Sequence, residues 1–307
     1  MSGLPADARC STRSTHAQAQ WTCFSIDVED WFHILDFSAG PRIEDWATLK
    51  SCVATNVERL FALLDEFGVK ATFFWLGWIA ERNKELVRQC LALGHEVASH
   101  GYGHVLAYQV GREAFGEDVR RGKSVLEDIT GGQVVGFRAA GFSTKNDTRW
   151  AFEEIRAAGH AYDSSVFPAS RSHGGMTGSR LDPHVLKTTA GDLLEIPQSM
   201  VEIMGRRISF FGGGYLRLAP LWLIQWGVGR LQATGRPLIL YVHPREIDPN
   251  HERLSLPLWR RFKCYVNLRS TLPKLRYLCS NRKFVTMGEL AARVSCSDMR
   301  DTRHDLL

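Results

Sequence analysis

Apolar positions along the chain follow two alternating spacings. Short unbroken runs, Thr22-Cys23-Phe24-Ser25-Ile26, Ala71-Thr72-Phe73-Phe74-Trp75-Leu76 and His95 to Ser99, read as strands. Between them Val53, Val57, Leu60, Phe61 and Leu64 recur at helical spacing with Gly68 as a stop. Leu86, Val87 and Leu91 repeat the pattern as far as Gly94. The alternation continues with a helix near Ala114–Ile129 ending at Gly131-Gly132, a strand over Val134–Arg138, a helix over Trp150–Ala158 and a fifth strand opening at Ala161-Tyr162. A helix from Pro220 to Thr234 precedes a late, very apolar strand over Pro237–Val242. Continuous apolar strands alternating with amphipathic helices predict an α/β protein whose strands are parallel and covered on both faces. At this length a barrel closed by βα repeats is favoured over an open doubly wound sheet. Residues 1–20 and 295–307 carry no period and are expected to be tails, leaving a single domain over 21–294.

Composition changes this picture little. The chain has 307 residues, and 44% hydrophobic content is enough for a sizeable core. Its formal charge of +5 looks spread out, with the nearest thing to a cluster at Arg253, Arg260, Arg261 and Lys263. A solvated basic face is expected there, and no nucleic-acid motif accompanies it. Seven scattered cysteines without a Cys-x-x-Cys pair fit a reducing compartment. The polar start lacks the apolar core of a signal peptide, and no run reaches the roughly 18–20 residues of a membrane span. The cytoplasm is therefore expected, or a peripheral place at the inner membrane. The apolar, arginine-bearing stretch from Leu254 to Leu278 is read as a helix packing on the barrel in preference to a membrane-resting surface.

The candidate chemistry gathers just after strands. Ser99-His100-Gly101-Tyr102-Gly103-His104 places two imidazoles four residues apart, which on one helical turn would share a face and could close on one cation. The first strand runs into Asp27-Val28-Glu29-Asp30-Trp31, three carboxylates that would repel one another unless a cation or an arginine offsets them. Asp27 and Glu29 point to one side of a continuing strand and Asp30 to the other. Together with the histidines this suggests a two-His-one-carboxylate metal site with open positions. Arg138, in Gly136-Phe137-Arg138-Ala139-Ala140-Gly141-Phe142, can pin a carboxylate. The fifth strand leads into Asp163-Ser164-Ser165-Val166-Phe167-Pro168, and the last delivers Tyr241-Val242-His243-Pro244-Arg245-Glu246. A histidine at the mouth of a buried strand is poorly explained by packing alone.

This ordered set resembles the polysaccharide deacetylases of carbohydrate esterase family 4, the chitooligosaccharide (nodulation-type) deacetylase homology domain, over roughly Trp21 to Leu290. It is most similar to the branch found beside exopolysaccharide-export (exosortase-type) systems, through Asp-Val-Glu-Asp-Trp, Asp-Ser-Ser-Val-Phe-Pro, Glu195-Ile-Pro, Gly212-Gly-Gly-Tyr-Leu-Arg217 and the terminal His-Pro-x-Glu. The resemblance implies a distorted (β/α) barrel with fewer than eight repeats and a divalent metal, usually zinc. It implies Asp27 as general base and Glu29, His100 and His104 as ligands, with Asp30 as the alternative acidic ligand. Arg138 would orient Asp27, His243 would be the general acid and Asp163 the carboxylate that tunes it. A backbone N–H in the Ala139–Phe142 loop would bind the oxyanion. Phe142, Tyr215, Arg217 and Tyr241 are the expected substrate contacts, Trp31 and Phe211 are further candidates for sugar stacking, and Trp75 and Trp78, also candidates, are read in preference as core or barrel-lining. The expected partner is an N-acetylated oligo- or polysaccharide, free or lipid-linked, and the reaction is metal-dependent removal of N-acetyl groups. The rivals are a cyclic-ureide amidohydrolase of the same fold and a non-catalytic carbohydrate-binding relative. Ala140 where the family usually has proline, and Tyr241 where it usually has leucine, leave the size of the acyl group open.

Overall fold

The first strand, β1 (Thr22–Val28), is buried from end to end, and its neighbours explain why. In this computed structural model, which describes residues 21–35, 40–171 and 174–296 and the backbone of 303–304, strands and helices alternate through the first half of the chain. After β1 come α1 (Val53–Glu66), β2 (Thr72–Trp75), α2 (Gly77–Arg82), α3 (Lys84–Ala92) and β3 (Glu96–Ser99). Next are α4 (Ala107–Val110), α5 (Arg112–Thr130), β4 (Gly136–Phe137), α6 (Trp150–Ala157) and β5 (Tyr162–Asp163). Two hairpins interrupt the alternation, β6 (His184–Thr188) with β7 (Gly191–Glu195) and β8 (Val201–Ile203) with β9 (Arg206–Ile208). The chain then runs through α7 (Gly213–Leu218), α8 (Leu221–Ala233), β10 (Leu238–Val242), α9 (Leu258–Tyr265), α10 (Thr271–Ser280), β11 (Phe284–Val285) and α11 (Met287–Cys296).

The main sheet has the order β10-β1-β2-β3-β4-β5-β7-β6, with β11 beside the start of β1. Its ladders among these strands are parallel except β6 against β7. Between β7 and β10 the ladder stops. There the Ser199 hydroxyl accepts from the Ile239 N–H at 2.8 Å and donates to the Pro237 carbonyl at 3.1 Å. Gly212 adds a single bridge to Tyr241. The result is the expected α/β architecture, a distorted barrel with fewer than eight βα repeats. The β6–β7 hairpin was not foreseen. Unbroken apolar runs mark strands covered on both faces, whereas Lys187, Thr188 and Asp192 leave the turn end of this pair near water.

Helices pack outside this sheet, and the apolar spacing places each. Val57, Leu60, Phe61 and Leu64 of α1 are all buried, as are Phe115, Val119, Leu126 and Ile129 of α5. The tail expected over 1–20 lies outside the described residues. So does most of that expected over 295–307, of which α11 takes Ser295 and Cys296.

Candidate active site

At the C-terminal ends of β1 and β10 the sheet opens onto a cavity of about 740 Å³. Barrels of this kind gather reactive groups at that end because the βα loops converge there. Asp27 and Glu29 line the cavity, and the Glu29 N–H turns back to the Asp27 carbonyl at 2.9 Å as β1 ends. Asp30 faces the other way. Its carboxylate accepts from the Trp31 N–H at 2.8 Å, the Cys52 N–H at 3.1 Å and the Val53 N–H at 3.3 Å, and from the Ser51 hydroxyl. Asp30 thus ties the turn after β1 to the start of α1, and the structure joins Glu29, rather than the alternative Asp30, to the histidines.

His100 and His104 do meet Glu29, but not on a helical turn as the spacing suggested. They lie in a loop after β3 that contains two glycines, with Gly101 at φ +78° and His104 itself at φ +56°. A non-glycine residue in that left-handed region is uncommon and marks a conformation held by its surroundings. The holder is Asp118 of α5, whose carboxylate accepts from the N–H groups of Tyr102 at 2.9 Å and Gly103 at 2.7 Å. Close approach of α5 needs Gly122, where a β-carbon would sit 2.5 Å from the Gly101 carbonyl carbon.

His100 Nδ1 donates to the Arg138 carbonyl at 2.7 Å, which leaves the Nε2 lone pair free to ligate. His100 Nε2 lies 3.3 Å and His104 Nε2 3.0 Å from Glu29 Oε1. One donor atom from each of the three buried residues falls within 4.8 Å of the others. Two imidazoles and one carboxylate fit a catalytic divalent metal centre with open positions. Arg245 donates to the other Glu29 oxygen at 2.7 Å and so fixes which oxygen faces the histidines. Burial works against ionised Glu29, yet His243, His104 and Arg245 hold its carboxyl well below the usual carboxylate range. Arg245 was quoted within a motif but given no role. In a sequence it looks like any surface arginine.

Arg138, fully buried, stands where expected. Its Nη1 donates to Asp27 Oδ1 at 2.6 Å and to the Ser25 hydroxyl at 2.9 Å, and its guanidinium lies 4.1 Å above the Phe74 ring. His243, at the end of β10, brings Nε2 to 3.5 Å from Glu29 Oε1. The carboxylate that holds its Nδ1 is Glu246, not Asp163. Burial disfavours the imidazolium, but Glu29 and Glu246 outweigh it and raise His243 to about 9. Glu246 is in turn pulled down to about 2, chiefly by Arg217 against the cost of burial.

Two expectations are corrected by these contacts. Asp163 sits opposite Glu195 in the β5–β7 register and accepts from the Ser165 hydroxyl at 2.6 Å. Burial raises the pKa of both acids, and their mutual repulsion adds to the rise at Glu195. Arg217 reaches the cavity wall, but its guanidinium is committed to Glu246 and to the carbonyls of Val266 at 3.0 Å and Lys263 at 2.8 Å. Its guanidinium is thus taken up by Glu246 and the backbone, where a substrate contact was expected. Phe142, Tyr215 and Tyr241 do line the cavity, with the Phe142 and Tyr241 rings 5.1 Å apart. Trp31, Trp75, Trp78 and Phe211 are buried in the core and offer no stacking platform.

His33, to which the sequence motifs assign no role, also lines the cavity. Its Nδ1 accepts from the Asp30 N–H at 2.9 Å, which places the ring proton on Nε2, and that buried N–H meets no acceptor among the described residues.

Parts of the chain are similar to known proteins. Residues 34–160 match the polysaccharide deacetylase family, and residues 164–292 match a domain of unknown function, DUF3473. The deacetylase match covers less than half of the chain, and the DUF3473 match follows it. Asp27 and Glu29 precede both matched segments. A peptidoglycan-N-acetylglucosamine deacetylase of Bacillus cereus is 34% identical over 73 residues, which are 24% of this chain and 34% of that protein. A peptidoglycan deacetylase of Helicobacter pylori is 26% identical over 111 residues, 36% of this chain and 37% of the other. The chain thus spans about a third to two fifths of the length of the curated relatives it matches. Among solved structures, a Mycobacterium smegmatis protein described as a polysaccharide deacetylase superposes with TM-score 0.58 and 20% identity, covering 90% of this chain and 91% of that one. The PuuE allantoinase superposes with TM-score 0.61 and 16% identity, covering 93% of each. At these identities the superpositions speak for the fold.

Proposed function

We propose that the protein removes N-acetyl groups from the amino sugars of an oligo- or polysaccharide, with zinc held by Glu29, His100 and His104. The observation that carries this reading is a cavity lined by the Arg138-held Asp27, by His243 and by Glu29, with His100 and His104 gathered on the Glu29 carboxylate. A divalent metal bound there supplies Lewis acidity to the amide carbonyl and lowers the pKa of water. Asp27, pinned by Arg138 and buried from bulk solvent, takes the proton of the attacking water. His243, held through Nδ1 by Glu246, delivers a proton from Nε2 to the leaving amine. The cavity wall formed by Phe142 and Tyr241 receives the acyl group, and an N–H of the Ala139–Phe142 loop stabilises the oxyanion. The motifs shared with the exopolysaccharide-export branch make such a polymer the substrate we favour.

The test is acetate release from N-acetylglucosamine oligomers by zinc-loaded protein, with a chelated control. Metal-dependent release is expected. No release with zinc bound would turn the reading to another acyl sugar or a cyclic ureide, and failure to bind zinc would favour a non-catalytic relative.

A further inference from the structure

Large exposed apolar side chains concentrate in one stretch of the described chain. Ten are exposed, and seven of them fall between residues 215 and 262, among them Leu218, Trp222, Leu258, Trp259 and Phe262. The sequence Leu258-Trp-Arg-Arg-Phe-Lys-Cys-Tyr265 forms α9, which buries Tyr265 and leaves Leu258 84% exposed and Trp259 65% exposed. The rings of Trp259 and Phe262 lie parallel within 12° at 5.9 Å, and both border the cavity mouth together with Leu218. Trp222 and Trp226, one turn apart on α8, add two further exposed indoles. An apolar concentration of this kind on a folded protein marks an interaction site.

Charge indicates the partner. The overall +5 is not evenly spread, as the sequence first suggested. Residues 203–288 contain 15 lysines and arginines against three acids, while residues 1–202 contain 20 against 26. From Arg253 to Gly288 there are nine cations and no acid. Lys263 Nζ lies 5.0 Å from the Trp259 ring, an aliphatic stem along an apolar face with its ammonium at the rim. Leucine and tryptophan outermost, with arginine and lysine beside them, is the composition of a helix that lies in a lipid headgroup layer. A sugar polymer is the poorer fit, because leucine cannot stack on a pyranose and the α9 segment offers no carboxylate to bind hydroxyls. No helix among the described residues is long and apolar enough to cross a membrane, so contact of this kind is peripheral.

We infer that the α8–α9 face docks on an anionic bilayer and presents the cavity mouth to molecules at that surface. This goes beyond the proposed chemistry and stands on different residues. The test is co-sedimentation of the full chain with vesicles of phosphatidylcholine alone or mixed with phosphatidylglycerol, at low and high salt. Binding is expected to the mixed vesicles only, to weaken with salt, and to be accompanied by a blue shift of tryptophan emission. The Trp222→Ser/Leu258→Ser double variant and Arg261→Glu, none of which lines the cavity, should each weaken binding at least about tenfold with an unchanged melting temperature. Equal binding of wild type and variants, or none, would overturn the inference. A dimer abolished by the double variant would assign the face to a second copy of the chain, and binding to soluble anionic polysaccharide without vesicle binding would assign it to polymer. Acetate release is not the readout, so failure here and failure of the deacetylase reading are separable.

Discussion

Glu246 lies three residues after His243 and accepts from its Nδ1, while its other oxygen accepts from Arg217. The imidazole that faces Glu29 is therefore held by a chain of two buried charged groups drawn from the turn after β10 and from α7. Glu246→Gln keeps the shape of this link and removes its charge. It should lower kcat by about 10- to 100-fold while bound zinc stays stoichiometric. Steady-state kinetics with metal analysis would check this, and an unchanged kcat would remove Glu246 from the site.

Glu29 and Asp30 are adjacent carboxylates with separate tasks. Glu29→Gln should abolish stoichiometric zinc binding. Asp30→Asn should keep zinc and cost about 1–2 kcal/mol of stability, since it weakens the charged acceptor at the start of α1. Zinc titration calorimetry and urea denaturation of both variants would decide. Zinc loss in Asp30→Asn with retention in Glu29→Gln would reverse the assignment.

Gly122→Ala tests whether α5 sets the histidine loop. The added methyl would meet the Gly101 carbonyl, which must then shift together with His100. Zinc affinity should fall by about tenfold or more. Gly229→Ala on α8, where an added methyl meets nothing within 4 Å, should leave zinc affinity unchanged and stabilise by up to about 1 kcal/mol.

His160 is fully buried, and burial, with Lys123 adding to it, lowers its pKa to about 3. The unfolded chain binds this proton near pH 6.5 and the folded chain near 3, so the folded state is penalised as pH falls from about 6.5 toward 3, by about 1.4 kcal/mol per unit. Above pH 6.5 the penalty vanishes. In His160→Phe the loss of stability between pH 7.5 and pH 5, read by urea denaturation, should shrink by about 2 kcal/mol. An identical loss in both proteins would place the titration elsewhere.

The readable parts of the sequence were those in which one residue type has one explanation. Strands β1, β2 and β10 are apolar without interruption because they are covered on both faces, and the chemistry after each strand was visible as a polar motif behind an apolar run. The hairpins after β5 were not readable, because their strands are short and carry charges such as Lys187, Asp192, Arg206 and Arg207, so no continuous apolar run marks them. Arg217, Arg245 and Glu246 illustrate a second limit. Buried charges are stable only in pairs, and a pair spanning 29 residues leaves no spacing signal. The position of Glu246, in the His-Pro-x-Glu run that closes a capping turn on His243, was the one local hint. His100 and His104 show a third. Their four-residue spacing suggested a helix, while Gly101 and Gly103 between them allowed the left-handed loop that forms.

The order of the sheet also bears on when the site can exist. β1 lies between β2 and β10, so the earliest of these strands to leave the ribosome has one edge open until residues 238–242 follow. Through most of synthesis Asp27 and Glu29 have no His243 or Arg245 opposite them, and an apolar strand edge stands exposed to stray pairing. A nascent chain stalled before β10 is thus a hydrophobic, edge-exposed species without a finished reaction centre. Protection of that edge, and not the docking of a preformed half, becomes the demand the cell must meet to obtain active protein.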